Sequence, residues 1–264
     1  MSSKSIHKRD VMSLIDNSKK IKPHTHVCMI LDSSGSMGSI KQEAVNHFNE
    51  QVQDLRKRSE EHDIDVTLLV FSSDVTIKRK LVPIHKVSEL KASEYHPSGG
   101  TALYDAIGYG IDTIQAETTD LADENTGVLF LIITDGQENS SLEYTQANLK
   151  ARMDSLQTEG WTFTFMAANV DPMTIVHDFG LSISNVAVFN ANAVGMNQAT
   201  QTASKGLGGY MNMRSSGVRS STNFYSSEGD KPAEEAVFVP LDPIDLSKVV
   251  VNAESSTSAV DEQS

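Results

Sequence analysis

The sequence predicts an α/β protein built on an open, doubly wound, mainly parallel six-stranded sheet with helices on both faces. Three observations carry that expectation. Short apolar runs of strand length alternate with longer segments whose apolar residues recur at three- and four-residue steps. One pair of strands is joined by a turn that permits only an antiparallel hairpin, and its second strand carries the lysines of a sheet edge. The chain has 264 residues, 39% of them hydrophobic, enough for one large domain with tails.

Residues 1–23 are polar and basic and are expected to form a flexible arm. No apolar segment follows Lys4, Lys8 or Arg9, so neither a signal peptide nor a membrane span is expected. Val27 to Leu31 is the first strand. His24, His26 and Cys28 alternate into it on one face, at a spacing zinc can use. A central strand is covered on both sides, however, and no fourth ligand is evident, so core packing is the expected role. Ala44, Val45, Phe48, Val52 and Leu55 mark a helix with one core-facing stripe and a charged outer face. Asp65 to Phe71 is a strand buried on both sides, and Val75 to Leu81, with Thr76, Lys78 and Lys80 interleaved, is the edge strand that stops at Pro83.

Leu103, Ile107, Ile111 and Ile114 form the stripe of the next helix, which follows Gly99-Gly100. Asp120 to Thr126 is a polar loop. Val128 to Ile133 is the most apolar strand, and Ser140 with Glu143 has the pattern of a capping box for a helix carrying Leu149, Met153 and Leu156. Gly160 ends it. Trp161, Phe163 and Phe165 line one face of a fifth strand; interleaved with Thr in an acidic protein, they are core residues and not a base-stacking platform. Asp171-Pro172 opens a short helix in N-cap and N1 order, and Val186 to Phe189 is the sixth strand. Met196 to Met213 is a last helix weakened by Gly206, Gly208 and Gly209, each costing about 1 kcal/mol relative to alanine. Residues 215–264 form an acidic tail expected to be mostly disordered, with nine carboxylates against two lysines from Ser220 onward. Its segment Val237 to Leu246 combines apolar residues with Asp242 and Asp245, so it is able to dock on this or another subunit.

The net charge of −13 argues against a nucleic-acid or anionic-membrane surface. Cys28 is the sole cysteine and has no intrachain partner, which makes a reducing cytoplasm the default setting.

The stretch Leu31-Asp32-Ser33-Ser34-Gly35-Ser36-Met37-Gly38 has the pattern of strand, tight turn and helix start. Asp32, Ser34 and Ser36 alternate along an extended backbone, so a carboxylate and two hydroxyls face one point. Hard oxygens so grouped suit Mg²⁺, which takes ~6 oxygens in an octahedron. Two more come from elsewhere: Thr101, behind Ser98-Gly99-Gly100, and Asp135, at the end of the most apolar strand.

In these residues, an Asp-x-Ser-x-Ser run, a distant Thr after Gly-Gly and a strand-terminal Thr-Asp-Gly, the chain resembles the von Willebrand factor type A domain with its metal-ion-dependent adhesion site. The likeness runs from His24 to Arg214. Thr134-Asp135-Gly136-Gln137-Glu138-Asn139-Ser140-Ser141 and Gly160-Trp161-Thr162-Phe163 look closest to stand-alone bacterial and phage members. The resemblance implies a domain over residues 24–214, a sheet of order 3-2-1-4-5-6 with only the third strand antiparallel, and a crevice beyond the carboxyl ends of strands one and four. It further implies that Ser34, Ser36 and Thr101 give hydroxyl oxygens to one Mg²⁺, with Mn²⁺ the alternative, while Asp32 and Asp135 hold it mainly through water. Ser33, Met37, Gly99, Gly100, Gly136 and Asn169 are expected at the rim. Met37-Gly38-Ser39-Ile40 lacks the paired acids of an adjacent second metal site, so one ion is expected. The implied function is non-enzymatic: a partner protein lends an acidic side chain to the ion.

Enzyme motifs fit poorly. Ser34 stands where a haloacid-type phosphatase needs its second Asp, Gly35-Ser36-Met37-Gly38 is not a nucleophile elbow, and no phosphate-binding loop is present. Metal-assisted hydrolysis is the runner-up, and a metal-independent scaffold the third reading.

Overall fold

The computed structural model describes residues 22–226. Strands β1 (His24–Asp32), β2 (Asp63–Phe71), β3 (Val75–Pro83), β4 (Thr126–Thr134), β5 (Trp161–Ala168) and β6 (Val186–Phe189) form one sheet of order β3-β2-β1-β4-β5-β6. Every pairing is parallel except β2 with β3, as expected from the Lys-bearing hairpin. The helices are α1 (Lys41–Lys57), α2 (Leu103–Glu117), α3 (Gln146–Thr158), α4 (Pro172–Phe179) and α5 (Ala193–Ser215).

The apolar runs are continuous because both sheet faces are covered. Val27, Met29 and Leu31 of β1 share a core with Phe48 and Val52 of α1 and Met196 and Leu207 of α5. Cys28 and Ile30 point the other way, to Ile107 and Ile111 of α2, Met153 of α3 and Phe179 of α4. Trp161 and Phe163 pack on Phe130, at centroid distances of 5.8 and 4.8 Å, inside that second core. From β1 the chain winds out to β2; from β4 it winds the opposite way to β5. The switch point therefore lies between the carboxyl ends of β1 and β4, where a crevice forms.

Three local features differ from the sequence expectations. Ser140 and Glu143 do not cap α3; Thr145 does, with Asn148 completing the box. The reason is competition for the same backbone donors: Asp105, near the start of α2, accepts from the N–H groups of Leu142, Glu143 and Tyr144, and Glu138 accepts from those of Ser140 and Ser141. The glycines of α5 are packing sites as well as weak points. A Cβ placed on Gly206 would stand 2.5 Å from Phe224 Cε1, so the missing side chain is what lets residue 224 close over the helix. Finally, residues 216–226, which charge alone assigns to the tail, pack on the domain. Ser221 N donates to Thr162 Oγ1 (2.9 Å), Phe224 N to Asn185 Oδ1 (2.9 Å), and Phe224 is buried. Residues 1–21 of the arm and the tail from 227, with Asp242 and Asp245, lie outside the described residues.

Candidate metal centre

β1 ends on Asp32, which is fully buried, and a 3₁₀ turn starts at Gly35. Asp32 Oδ1 accepts from Ser34 N (2.6 Å), and Oδ2 accepts from Thr134 Oγ1 (2.5 Å). Ser34 Oγ lies 3.1 Å from Ser36 Oγ, which donates to Asp135 Oδ1 at 2.6 Å. Four of the five predicted residues thus form one hydrogen-bonded chain across the switch point. The fifth, Thr101, is 3% exposed and stands just before α2. Its N–H donates to Asn139 Oδ1 (2.8 Å) and its carbonyl accepts from Asn139 N (3.0 Å), which ties it to the loop after β4. Its hydroxyl faces Gly136, beside Asp135: a Cβ there would come within 3.2 Å of Thr101 Oγ1.

Backbone contacts fix the surrounding loops. Gly35 N donates to Gly99 O (3.1 Å) and Ser98 N to Ser33 O (2.8 Å). Gly99 adopts φ +74°, a left-handed conformation that glycine takes without strain. Asn169, at φ 59°, donates from Nδ2 to Asp135 O at 3.1 Å. Two of the expected rim residues point inward. Met37 is fully buried in the α1–α5 core, and the Ser33 hydroxyl donates to Phe71 O at 2.8 Å.

Burial pushes the Asp32 carboxyl above its ordinary range, against the hydrogen bonds from Thr134 and Ser34 that favour the anion; the charge on Asp135 adds to the upward push. Among the described residues neither Asp32 nor Asp135 forms an ion pair with Lys, Arg or His. Two buried carboxylates and three hydroxyls without a protein cation are the donor set of a small hard metal ion. The residues present fit such an ion.

Thr134, Tyr95 and Asn139 support the site and were not predicted. Thr134 stands inside the Thr-Asp-Gly motif, where its hydroxyl was the available signal. Tyr95, whose hydroxyl donates to Asp32 O, lies in an irregular stretch with no periodicity to mark it. A cavity of about 180 Å³, lined by Tyr104, Thr134, Gly136, Glu138 and Asp178 among others, opens beside Asp135.

A doubly wound sheet with an oxygen-rich cluster at its switch point defines a class of α/β domains that bind ligands beyond the strand ends. The chain belongs to the von Willebrand factor type A domain family, whose model matches residues 26–215. It is similar to human calcium-activated chloride channel regulator 4, at 30% identity over 135 residues, covering 50% of this chain and 14% of that protein. Among solved structures it is similar to a von Willebrand factor type A protein from Catenulispora acidiphila (14% identity, TM-score 0.49, covering 75% of this chain and 43% of that one). Another is proximal thread matrix protein 1 from the mussel byssus with a zinc-occupied MIDAS motif (14% identity, TM-score 0.46, covering 69% and 45%). Among the described residues no helix is long and apolar enough to cross a membrane.

Proposed function

We propose that this chain is a divalent-cation-dependent protein-binding domain without catalysis of its own. Ser34, Ser36 and Thr101 offer hydroxyl oxygens to Mg²⁺, with Mn²⁺ the alternative, and Asp32 and Asp135 hold it mainly through water. When bound, such an ion supplies a positive charge that neutral hydroxyls leave under-neutralised, so a carboxylate from a partner protein is the favoured outside ligand. The chain's own part is preorganisation. Thr134 and Ser34 N fix both oxygens of Asp32, Ser36 orients Asp135, and Asn139 holds the backbone of Thr101.

The observation that carries this reading is the hydrogen-bonded Asp32–Ser34–Ser36–Asp135 chain, with Asp32, Ser34 and Asp135 buried and Ser36 open to solvent, and among the described residues no Lys, Arg or His paired with either carboxylate. Metal-assisted hydrolysis finds less support, because among the described residues no histidine, lysine or arginine hydrogen-bonds to these side chains as a base. The net charge of −13 supports a protein partner over nucleic acid. The lone cysteine, Cys28, supports a reducing cytoplasmic setting. The test is affinity capture from native extract in Mg²⁺, in EDTA, and in Mg²⁺ with Asp32→Ala. Partners lost in both of the latter arms are the site's ligands; an identical set in all three arms rejects the proposal.

A further inference from the structure

The opposite end of β1 carries a second group of metal-ligating side chains. His24 begins the strand and Asp32 ends it, eight residues and about 26 Å away at about 3.3 Å per residue. His24 Nδ1 lies 2.7 Å from Asp120 Oδ2, and His26 Nε2 lies 3.1 Å from Asp120 Oδ1. The donor atoms of His24, His26 and Asp120 all fall within 4.8 Å of one another. Asp65, on β2, faces the remaining nitrogen of each ring, at 3.0 Å from His24 Nε2 and 3.8 Å from His26 Nδ1. Cys28, which shares their face of the strand, is not part of the group; its sulfur packs beneath α2 near Gly110, in the apolar core.

Counting protons shows why this arrangement is incomplete. Four ring nitrogens face two carboxylates, but a neutral imidazole has one N–H. With both rings neutral, two lone pairs are aimed at anionic oxygens. Protonating His24 satisfies both of its contacts but leaves His26 Nδ1, whose side chain is 4% exposed, with no hydrogen-bond partner among the described residues. A divalent ion resolves the count differently. With His24 Nδ1 and His26 Nε2 as ligands, both rings carry their proton on the nitrogen that faces Asp65, hydrogen-bonded to it from His24 (3.0 Å) and 3.8 Å from it in His26, so that a shift of Asp65 towards His26 completes the carboxylate–histidine–metal arrangement that fixes tautomer and orientation.

We propose that His24, His26 and Asp120 bind a transition-metal ion of the zinc class, with Asp65 as the outer carboxylate that orients both histidines. Nitrogen donors select zinc, cobalt or nickel over magnesium. Ligands of one tetrahedral zinc sit about 3.4 Å apart, so the pairs at 2.7 and 3.1 Å have to open, by about 0.7 and about 0.3 Å, with all three donor atoms already within 4.8 Å of one another. Asp120 lies in a loop, outside any regular element, which permits that shift. The loop is itself held: Arg219 donates to Leu121 O (3.0 Å) and Thr126 O (2.9 Å), and Arg214 to His24 O (3.0 Å). Asp120 is 36% and His24 28% exposed, leaving one side of the site open for a water or an outside ligand. This site is independent of the cluster at Asp32.

The test uses the full chain carrying Asp32→Ala and Asp135→Ala, stripped with chelator and titrated with Zn²⁺ alone by calorimetry and with Co²⁺ alone by visible absorption. The expected result is one equivalent of Zn²⁺, undisturbed by a hundredfold excess of Mg²⁺, and a cobalt spectrum with nitrogen ligation. Adding His24→Gln or Asp120→Asn, both partly exposed positions, should weaken zinc binding at least about tenfold, and Asp65→Asn by about 10–100-fold. Unchanged thermal melts in chelator verify that these variants fold. No zinc binding in the parent, or binding equal in the parent and both ligand variants, overturns the assignment.

Discussion

Replacing Thr134 by valine keeps the shape of the side chain and removes one oxygen. Thr134 is 1% exposed; its Oγ1 donates to Asp32 Oδ2 at 2.5 Å and accepts from Gly136 N at 3.2 Å. Valine leaves no large cavity, so the loss is a hydrogen bond to a buried carboxylate, about 1.5–3 kcal/mol, plus the partner of one backbone N–H. The sum is about 2–4 kcal/mol in the metal-free domain. For a domain of about 150–250 residues each kcal/mol moves Tm by about 2–4 °C, so valine should lower Tm by about 4–16 °C. The assay is scanning calorimetry in EDTA at neutral pH, with Thr134→Ser as the companion. Serine keeps the hydroxyl and loses one methyl, about 1 kcal/mol. Equal shifts for valine and serine, or a valine shift below about 2 °C, would refute the claim that this hydroxyl holds Asp32 in place.

His47 lies buried between α1 and α5, with Nδ1 3.0 Å from Thr200 Oγ1, and burial pushes it down from 6.5 to about 4. Between those values the unfolded chain takes up a proton that the folded chain refuses. Its contribution is therefore full above pH 6.5 and is lost on acidification towards pH 4, by up to about 3 kcal/mol. Urea melts of His47→Gln should lack this part of the slope; a profile parallel to the parent's contradicts the assignment. Gly206→Val should lower Tm by at least about 4 °C, because its Cβ would meet Phe224, whereas Gly209→Ala, with nothing among the described residues within 4 Å, should raise it by about 2–4 °C. Thermal melts that rank the two the other way would contradict the packing role given to Gly206.

Much of this architecture is legible in the sequence because it rests on local pattern. The uninterrupted apolar runs of β1, β2 and β4 follow from burial on both sheet faces, and the alternating lysines of β3 from its edge position. Asp32 and Asp135 stand out because strand ends at a switch point are where such sheets present side chains. What stayed hidden depends on partners distant along the chain. Asp120 sits in a stretch that looks like a solvated loop, and it meets His24 across 96 residues and His26 across 94. Asp105 looks like an ordinary acid in the first turn of α2, yet it takes three N–H groups of the 142–144 loop and moves the start of α3 to Thr145. Helix propensity counts Gly206 as a weakness because it has no term for Phe224, which arrives 18 positions later to occupy the space.

In the proposed function a hard cation is held by the cluster between β1 and β4. Calorimetric titration of Mg²⁺ into the chelator-stripped chain should give one equivalent of binding, lost on Ser36→Ala and on Thr101→Ala and retained in His24→Gln. At a hundredfold excess over Kd the ion should also stabilise the domain by about 2.7 kcal/mol. Magnesium that fails to bind, or that binds the two hydroxyl variants as well as the parent, would contradict the account.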